Sequence, residues 1–136
     1  MTRRQDWEGR LFRAFLMWKD KPFAWGKHDC FTWGSDVELA VTGRMTFVDI
    51  LGSYNTERQA LMVLARNGWT SVGDAASERL LEIKPGFARR GDLASIKAED
   101  RREAMGVVLG EHLAAVTLEG LKLFPRDNAI RAWRNG

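Results

Sequence analysis

Apolar side chains recur every three or four positions in the first part of the chain, which is the spacing of an amphipathic helix. Over residues 6–19 the repeating positions are Trp7, Leu11, Phe15 and Trp18. Pro22 disfavours continuation of that helix, because the residue before a proline avoids the helical conformation. A second helix is predicted to begin at Cys30, with Asp29 as its N-cap and Gly43 as its C-cap.

The helical pattern continues to about residue 81 and then changes to short apolar runs. Thr56 and Gln59 have the spacing of a capping box, so a third helix is predicted to run to Asn67-Gly68, and residues 72–81 suit a shorter one. Predicted strands follow at 93–96, 105–110, 112–117, 121–124 and 130–133, with the last at an edge of the sheet. Helices first and strands afterwards predict an α+β fold with a small antiparallel sheet.

Length and composition fit one domain without a membrane span. The 136 residues predict a single domain, residues 1–136, with a helical part at about 5–81 and a sheet part at about 91–134. No apolar run approaches the roughly 18 residues of a membrane-spanning helix, and the first residues do not resemble a signal peptide. The net charge of +3 comes from scattered arginines, so no nucleic-acid partner is expected. With one cysteine and two histidines, neither a metal site nor a cofactor is expected.

The single cysteine carries the clearest candidate chemistry. Cys30 lies on the first turn of a predicted helix, where backbone amides and the positive end of the helix dipole favour a thiolate. The alternative is a small buried apolar residue without chemistry, since free cysteines are often buried. The six tryptophans are expected mainly in the core, with Trp69 and Trp133 as candidates for exposed anchors at a protein interface.

Three segments resemble the NlpC-like cell-wall peptidases, a compact family with a papain-like fold. Pro22-Phe23-Ala24-Trp25-Gly26-Lys27-His28-Asp29-Cys30 is similar to the family's aromatic-x-aromatic-Gly…Asp-Cys signature. Arg90-Gly91-Asp92-Leu93 and Ala104-Met105-Gly106-Val107-Val108-Leu109-Gly110 are similar to its Gly-Asp-Leu and His-Val-Gly-Ile-x-x-Gly segments. The resemblance covers nearly the whole chain and is closest to a small group encoded among bacteriophage and prophage tail genes. It implies an NlpC-type fold with N-terminal helices followed by a small antiparallel sheet.

Carried over residue by residue, the resemblance implies an incomplete catalytic site. Cys30 matches the nucleophile, but Ala104 stands where the family has its general-base histidine. The polar residue that orients that histidine is expected on the following strand, at His112 or Thr117. His112 itself lies on the order of 25 Å from the start of the preceding strand if the chain stays extended. His28 is the alternative base, although a loop histidine without chemistry is the interpretation we favour.

These features predict a bacteriophage tail component at the tail tip or baseplate hub, built on a peptidase-like fold that has lost its activity. Its expected partners are other tail and baseplate proteins, and its expected location is the virion after synthesis in the host cytoplasm. The enzymatic alternative is a cysteine peptidase or amidase that cleaves peptidoglycan peptides during genome entry. A third alternative is a tail assembly chaperone or adaptor that is missing from the finished particle.

Overall fold

Four helices precede a six-stranded sheet in the computed structural model, which describes residues 2–136. The helices are α1 (Trp7–Trp18), α2 (Cys30–Thr42), α3 (Glu57–Arg66) and α4 (Val72–Arg79). The strands are β1 (Glu82–Ile83), β2 (Leu93–Lys97), β3 (Glu103–Val108), β4 (His112–Thr117), β5 (Gly120–Pro125) and β6 (Arg131–Trp133). The predicted α+β class is confirmed. Along residues 2–136, none of the helices has the length and apolar character needed to cross a membrane.

The local signals at the helix ends behave largely as predicted. The Asp29 carboxylate accepts a hydrogen bond from the Thr32 amide at 2.9 Å, and Gly43 ends α2 in the left-handed conformation. At α3 the Thr56 hydroxyl accepts from the Gln59 amide at 3.1 Å, but the Gln59 side chain returns to the amide of residue 55 and not to that of Thr56. The predicted capping box is therefore only half formed.

The sheet has the strand order β1-β6-β2-β3-β4-β5, and every neighbouring pair is antiparallel. The prediction that the last strand lies at an edge is wrong, because β6 pairs with β1 on one side and with β2 on the other. The two-residue strand β1 occupies that edge and was not predicted. Alternation of apolar and polar residues indicates a strand but carries no information about which partners it takes.

The two faces of the sheet bury different kinds of side chain. One face packs against α1, α2 and α4 through large residues, among them Leu11, Trp33, Met105, Val107 and Trp133. The other face carries mostly small residues, including Ala94, Ala104, Ala115 and Ala132, and is covered by loop residues such as Ala88. A third cluster joins α3 to the irregular segment before it, through Phe47, Ile50, Tyr54, Val63 and Trp69.

The expected exposed tryptophans are buried. Trp133 is fully buried and Trp69 is 6% exposed, so the prediction that they anchor an interface is wrong. The Trp133 indole N–H donates to the Ser77 hydroxyl at 3.0 Å, which fixes β6 against α4. A large aromatic residue that alternates with polar neighbours in a short strand belongs to the core here because the strand is internal.

A buried ion pair holds the two ends of the described chain together. The Arg3 guanidinium donates to the Asp92 carboxylate at 2.9 Å, and Asp92 is fully buried. The same carboxylate accepts from the backbone amides of Arg89 and Asn135, both at 2.9 Å. Asp92 therefore connects the start of β2 with residues near both ends of the described chain.

Candidate functional site

Cys30 lies in the wall of a cleft of about 480 Å³ between the helical part and one end of the sheet. It is half-buried, at the first position of α2. The apolar lining residues are mainly aromatic or aliphatic: Phe23, Trp25, Phe31, Tyr54, Leu61, Trp69 and Leu118. Charged residues of the β2–β3 turn, Asp100, Arg101 and Arg102, also contribute to the cleft, and Glu57 of α3 does so as well. A cleft of this volume is in the range that binds small molecules or short peptide segments.

Asp29 connects three parts of the structure beside the cysteine. Its carboxylate accepts from the Gly26 amide at 2.9 Å, from the Thr32 amide at 2.9 Å and from the Tyr54 hydroxyl at 2.7 Å. Burial first, and then the negative charge of Asp29, raise the pKa of Tyr54, so its hydroxyl stays a donor. Asp29 therefore holds the loop before α2, the start of α2 and the segment before α3 in one arrangement. The sequence predicted that Asp29 is the N-cap of α2 but did not predict its hydrogen bond with Tyr54.

The Cys30 thiol is held in its protonated form. Burial is the largest cause and the negative charge of Asp29 the second, and together they raise the pKa of Cys30 to about 12. The backbone of Met105 acts in the opposite direction but is outweighed. The backbone of Cys30 at the helix start also lowers the pKa, as expected, but burial and the charge of Asp29 outweigh it. The helix dipole is a fraction of a charge, and here a full carboxylate at the N-cap and the loss of solvent oppose it.

Ala104 lines the same cleft as Cys30. It is 7% exposed and precedes Met105 in β3. The β3–β4 register pairs Gly106 with Ala115, and continuing it two residues places Ala104 opposite Thr117, which also lines the cleft. The structure thus brings the cysteine, the alanine and Thr117 to one cleft. Ala104 carries only a methyl group, which cannot accept a proton from the Cys30 thiol.

Neither histidine is brought into the cleft. His112 pairs with Pro125 at the opposite end of β4 from Thr117. The His28 ring packs edge-on against Trp18, with 5.4 Å between the ring centroids, and its backbone amide donates to the Ala24 carbonyl at 2.8 Å. His28 is absent from the residues that line the cleft. Across residues 2–136, no hydrogen bond joins either imidazole to Cys30.

The acidic residue nearest to Ala104 in sequence has a structural role. The Glu103 carboxylate accepts from the Ser71 hydroxyl at 2.6 Å and from the Gly73 amide at 3.2 Å, and it also accepts from the Ser95 hydroxyl. These contacts cap the start of α4. The Glu103 side chain is therefore occupied by hydrogen bonds to the start of α4 and to β2. Within residues 2–136 there is also no group of three or more His, Cys, Asp or Glu side chains able to hold a metal ion.

Sequence reasoning also missed two cleft residues, Trp69 and Arg101. Trp69 was assigned to the surface, although it follows a helix end, where a bulky apolar residue often folds back onto the helix it leaves. Arg101 lies in a charged segment whose composition is typical of solvent-exposed surface. The β2–β3 hairpin places it at the cleft.

The sequence matches one protein-family model, described as "Domain of unknown function (DUF6950)", over residues 2–135. No curated protein matches it.

Proposed function

The chain belongs to the family described as a domain of unknown function (DUF6950), and within it we propose that this protein is a non-catalytic component of a bacteriophage tail, at the tail tip or baseplate hub. The observation that carries the proposal is that Cys30 and Ala104 line the same cleft. The resemblance to tail-encoded NlpC-like proteins supplies the biological setting. Because neither histidine lines the cleft beside Cys30, we regard the fold as retained for binding and not for cleavage.

Chemistry at Cys30 would need a base that the chain does not place there. A general base acts within about 2.6–3.2 Å of the proton it removes, or through one water. With a pKa of about 12, only about one thiol in 10⁵ is ionised at pH 7. The Cys30 position therefore lacks both routes to an active nucleophile, a neighbouring base and a lowered pKa.

An exposed apolar stripe on α1 supports a role in protein contacts. Phe12, Leu16 and Met17 are 56%, 43% and 68% exposed, and Phe12 and Leu16 lie one helical turn apart. Clustered apolar side chains on a surface are typical of protein interfaces. This stripe takes the role that the sequence suggested for Trp69 and Trp133.

The experiment is quantitative mass spectrometry of purified phage particles. A tail component should be present at a fixed number of copies per particle, and its removal should stop tail completion or infection. Absence of the chain from infectious particles would overturn the proposal. If the chain were instead required for assembly but missing from particles, the chaperone or adaptor role would replace it.

A second function, a cysteine peptidase or amidase acting on peptidoglycan peptides, is favoured by one observation: Cys30 lies at a helix start in an open cleft. Its base would have to come from a neighbouring protein in the assembled tail. Digestion of purified cell walls by intact particles tests it, with wild-type Cys30 compared with Cys30→Ala. Activity that disappears in Cys30→Ala would establish the enzyme, and equal residual activity would exclude it.

A further inference from the structure

We propose that the open edge of β5 pairs antiparallel with β5 of a second copy of this chain, so that the two sheets join across a two-fold axis. The axis lies at Leu123, and the paired span is residues 121–125. The second copy is identified from the main chain and the side chains of β5 itself. The inference therefore does not depend on the proposed function.

The hydrogen bonds of β4 determine which side of β5 is free. The Leu109 amide donates to the His112 carbonyl at 2.8 Å, so the even-numbered residues of β4 bond toward β3. In an antiparallel ladder the alternate residues bond to the neighbour on the other side. The odd-numbered residues of β4 therefore bond to β5, where they pair with Gly120, Lys122 and Phe124.

The main-chain groups of the intervening β5 residues face away from the sheet. The alternation is confirmed beyond the strand end, where the Arg126 amide donates to the Glu111 carbonyl at 3.0 Å. Leu121 and Leu123 each direct an N–H and a carbonyl outward, and Pro125 directs a carbonyl. Within residues 2–136 the two outward N–H groups have no main-chain acceptor. An edge with free donors and acceptors is a template for another strand.

The opposite edge of the sheet is much less suited to pairing. There β1 has two residues and is followed closely by Pro85, which has no N–H to donate. β5 has six residues, and its proline is the last of them. The Lys21 carbonyl approaches β5 at Gly120, where it lies 3.3 Å from the position that a Cβ would take. That contact lies outside residues 121–125, so this span stays open.

The residue types along β5 select one register for the self-pairing. With the axis at Leu123, this residue opposes its own copy, Leu121 opposes Pro125 of the second copy, and all four outward N–H groups meet carbonyls. An axis at Lys122 makes as many hydrogen bonds but sets two ammonium groups opposite each other, which is unfavourable. An axis at Phe124 makes only two, because the proline cannot donate.

The chosen register also covers apolar surface. Leu123 is 54% exposed, and its side chain packs against the same side chain of the second copy. The Lys122 ammonium keeps its ion pair with Glu119, at 3.1 Å, within one chain. Five paired residues bury less than the roughly 1,000 Å² of a stable interface, so we expect a dissociation constant in the micromolar range.

Sedimentation velocity of the purified chain, from about 10 to 500 μM, tests the dimer. Leu123→Lys places two positive charges at the axis and is expected to weaken dimerisation about tenfold. Val48→Lys is the matched control, since Val48 is 61% exposed and lies in the segment before α3. Far-UV circular dichroism checks that both variants are folded. A wild-type chain that stays monomeric, or equal dissociation constants for the two variants, would overturn the inference.

Disulfide trapping tests the register in a Cys30→Ala background. Leu123→Cys places two cysteines in a hydrogen-bonded pair with Cα atoms about 5.5 Å apart, which suits a disulfide. Lys122→Cys leaves its two copies about 8 Å apart, beyond the reach of one. Oxidation is therefore expected to link Leu123→Cys at least about tenfold faster. Equal rates would overturn the inference, as would a residue 123 that cross-links only to a different protein in assembled particles.

Discussion

The protonated state of Cys30 has a kinetic consequence that can be measured directly. Disulfide reagents react with thiolates, so a cysteine whose pKa is raised to about 12 should react slowly at neutral and mildly alkaline pH although it lines an open cleft. The perturbation in this experiment is pH itself. The comparison is between the folded chain and the same chain unfolded in guanidinium chloride, where Cys30 is an ordinary thiol.

The expected slowing follows from two opposing terms. At pH 8 about one folded thiol in 10⁴ is ionised, against roughly a quarter of ordinary thiols with a pKa of about 8.5. The rarer thiolate is more nucleophilic, because reactivity rises with pKa with a slope of about 0.4–0.5. Over about 3.5 pKa units this recovers a factor of roughly 25–55, which leaves the folded thiol about 50- to 100-fold slower.

The assay is the release of thiopyridone from dithiodipyridine, a small neutral disulfide, followed by absorbance from pH 6 to pH 10.5. Because the pKa is raised, the reactive form appears only as pH increases, so the folded rate should climb about tenfold per pH unit across the whole range. The unfolded rate should level off near pH 9. A thiol that was only sterically shielded would be slow but would level off at the same pH as the unfolded chain.

Two results would refute the reasoning. A folded rate above the unfolded rate at pH 7 would mean that the site activates Cys30. A plateau of the folded rate below pH 8 would mean that the dipole of α2 outweighs burial and Asp29. Either outcome would move the peptidase alternative ahead of the proposed function.

Three stability predictions test the surrounding structure by urea unfolding. Tyr54→Phe should lower the free energy of unfolding by about 1.5 kcal/mol, because it removes a hydrogen bond to a buried carboxylate, and an unchanged midpoint would contradict that role. Gly26→Ala should lower the free energy of unfolding by at least about 2 kcal/mol more than Gly52→Ala. Both glycines have φ near 80°, but a Cβ at Gly26 overlaps the Tyr54 carbonyl whereas one at Gly52 meets open space. Equal losses of stability in the two variants would contradict the close approach of Gly26 to Tyr54. Arg3→Met should cost about 3 kcal/mol by leaving a fully buried carboxylate without its cation, and a loss below about 1 kcal/mol would show that the backbone amides suffice.

The parts of the fold that follow from neighbouring residues could be predicted from the sequence. Asp29 and Gly43 fix the two ends of α2 through hydrogen bonds and a backbone conformation that depend on a few adjacent positions. The helix–strand order followed from periodicity for the same reason. The position of β6 did not, since its partners β1 and β2 lie tens of residues away in sequence. Trp133 was misplaced as a direct result.

The candidate site divides in the same way. The sequence predicted that Cys30 begins a helix, which the structure confirms. The resemblance implied that Ala104 stands at the position of a base, and the structure shows that Cys30 and Ala104 line one cleft. The sequence did not predict the pKa of Cys30, because that depends on how deeply the thiol is buried and on the charge of Asp29. Nor did it predict the contact between Tyr54 and Asp29, which joins two elements separated by the whole of α2.

The internal position of β6 affects the order in which the sheet can form during synthesis. Strands β2 to β5 are joined by short turns and can pair as soon as they leave the ribosome. β1 has no strand partner until residues 131–133 emerge, and until then β2 presents an open edge. A nascent chain that pauses before residues 131–133 are made therefore exposes the edge of β2 to other chains, and the sheet stays open to wrong association until β6 is in place.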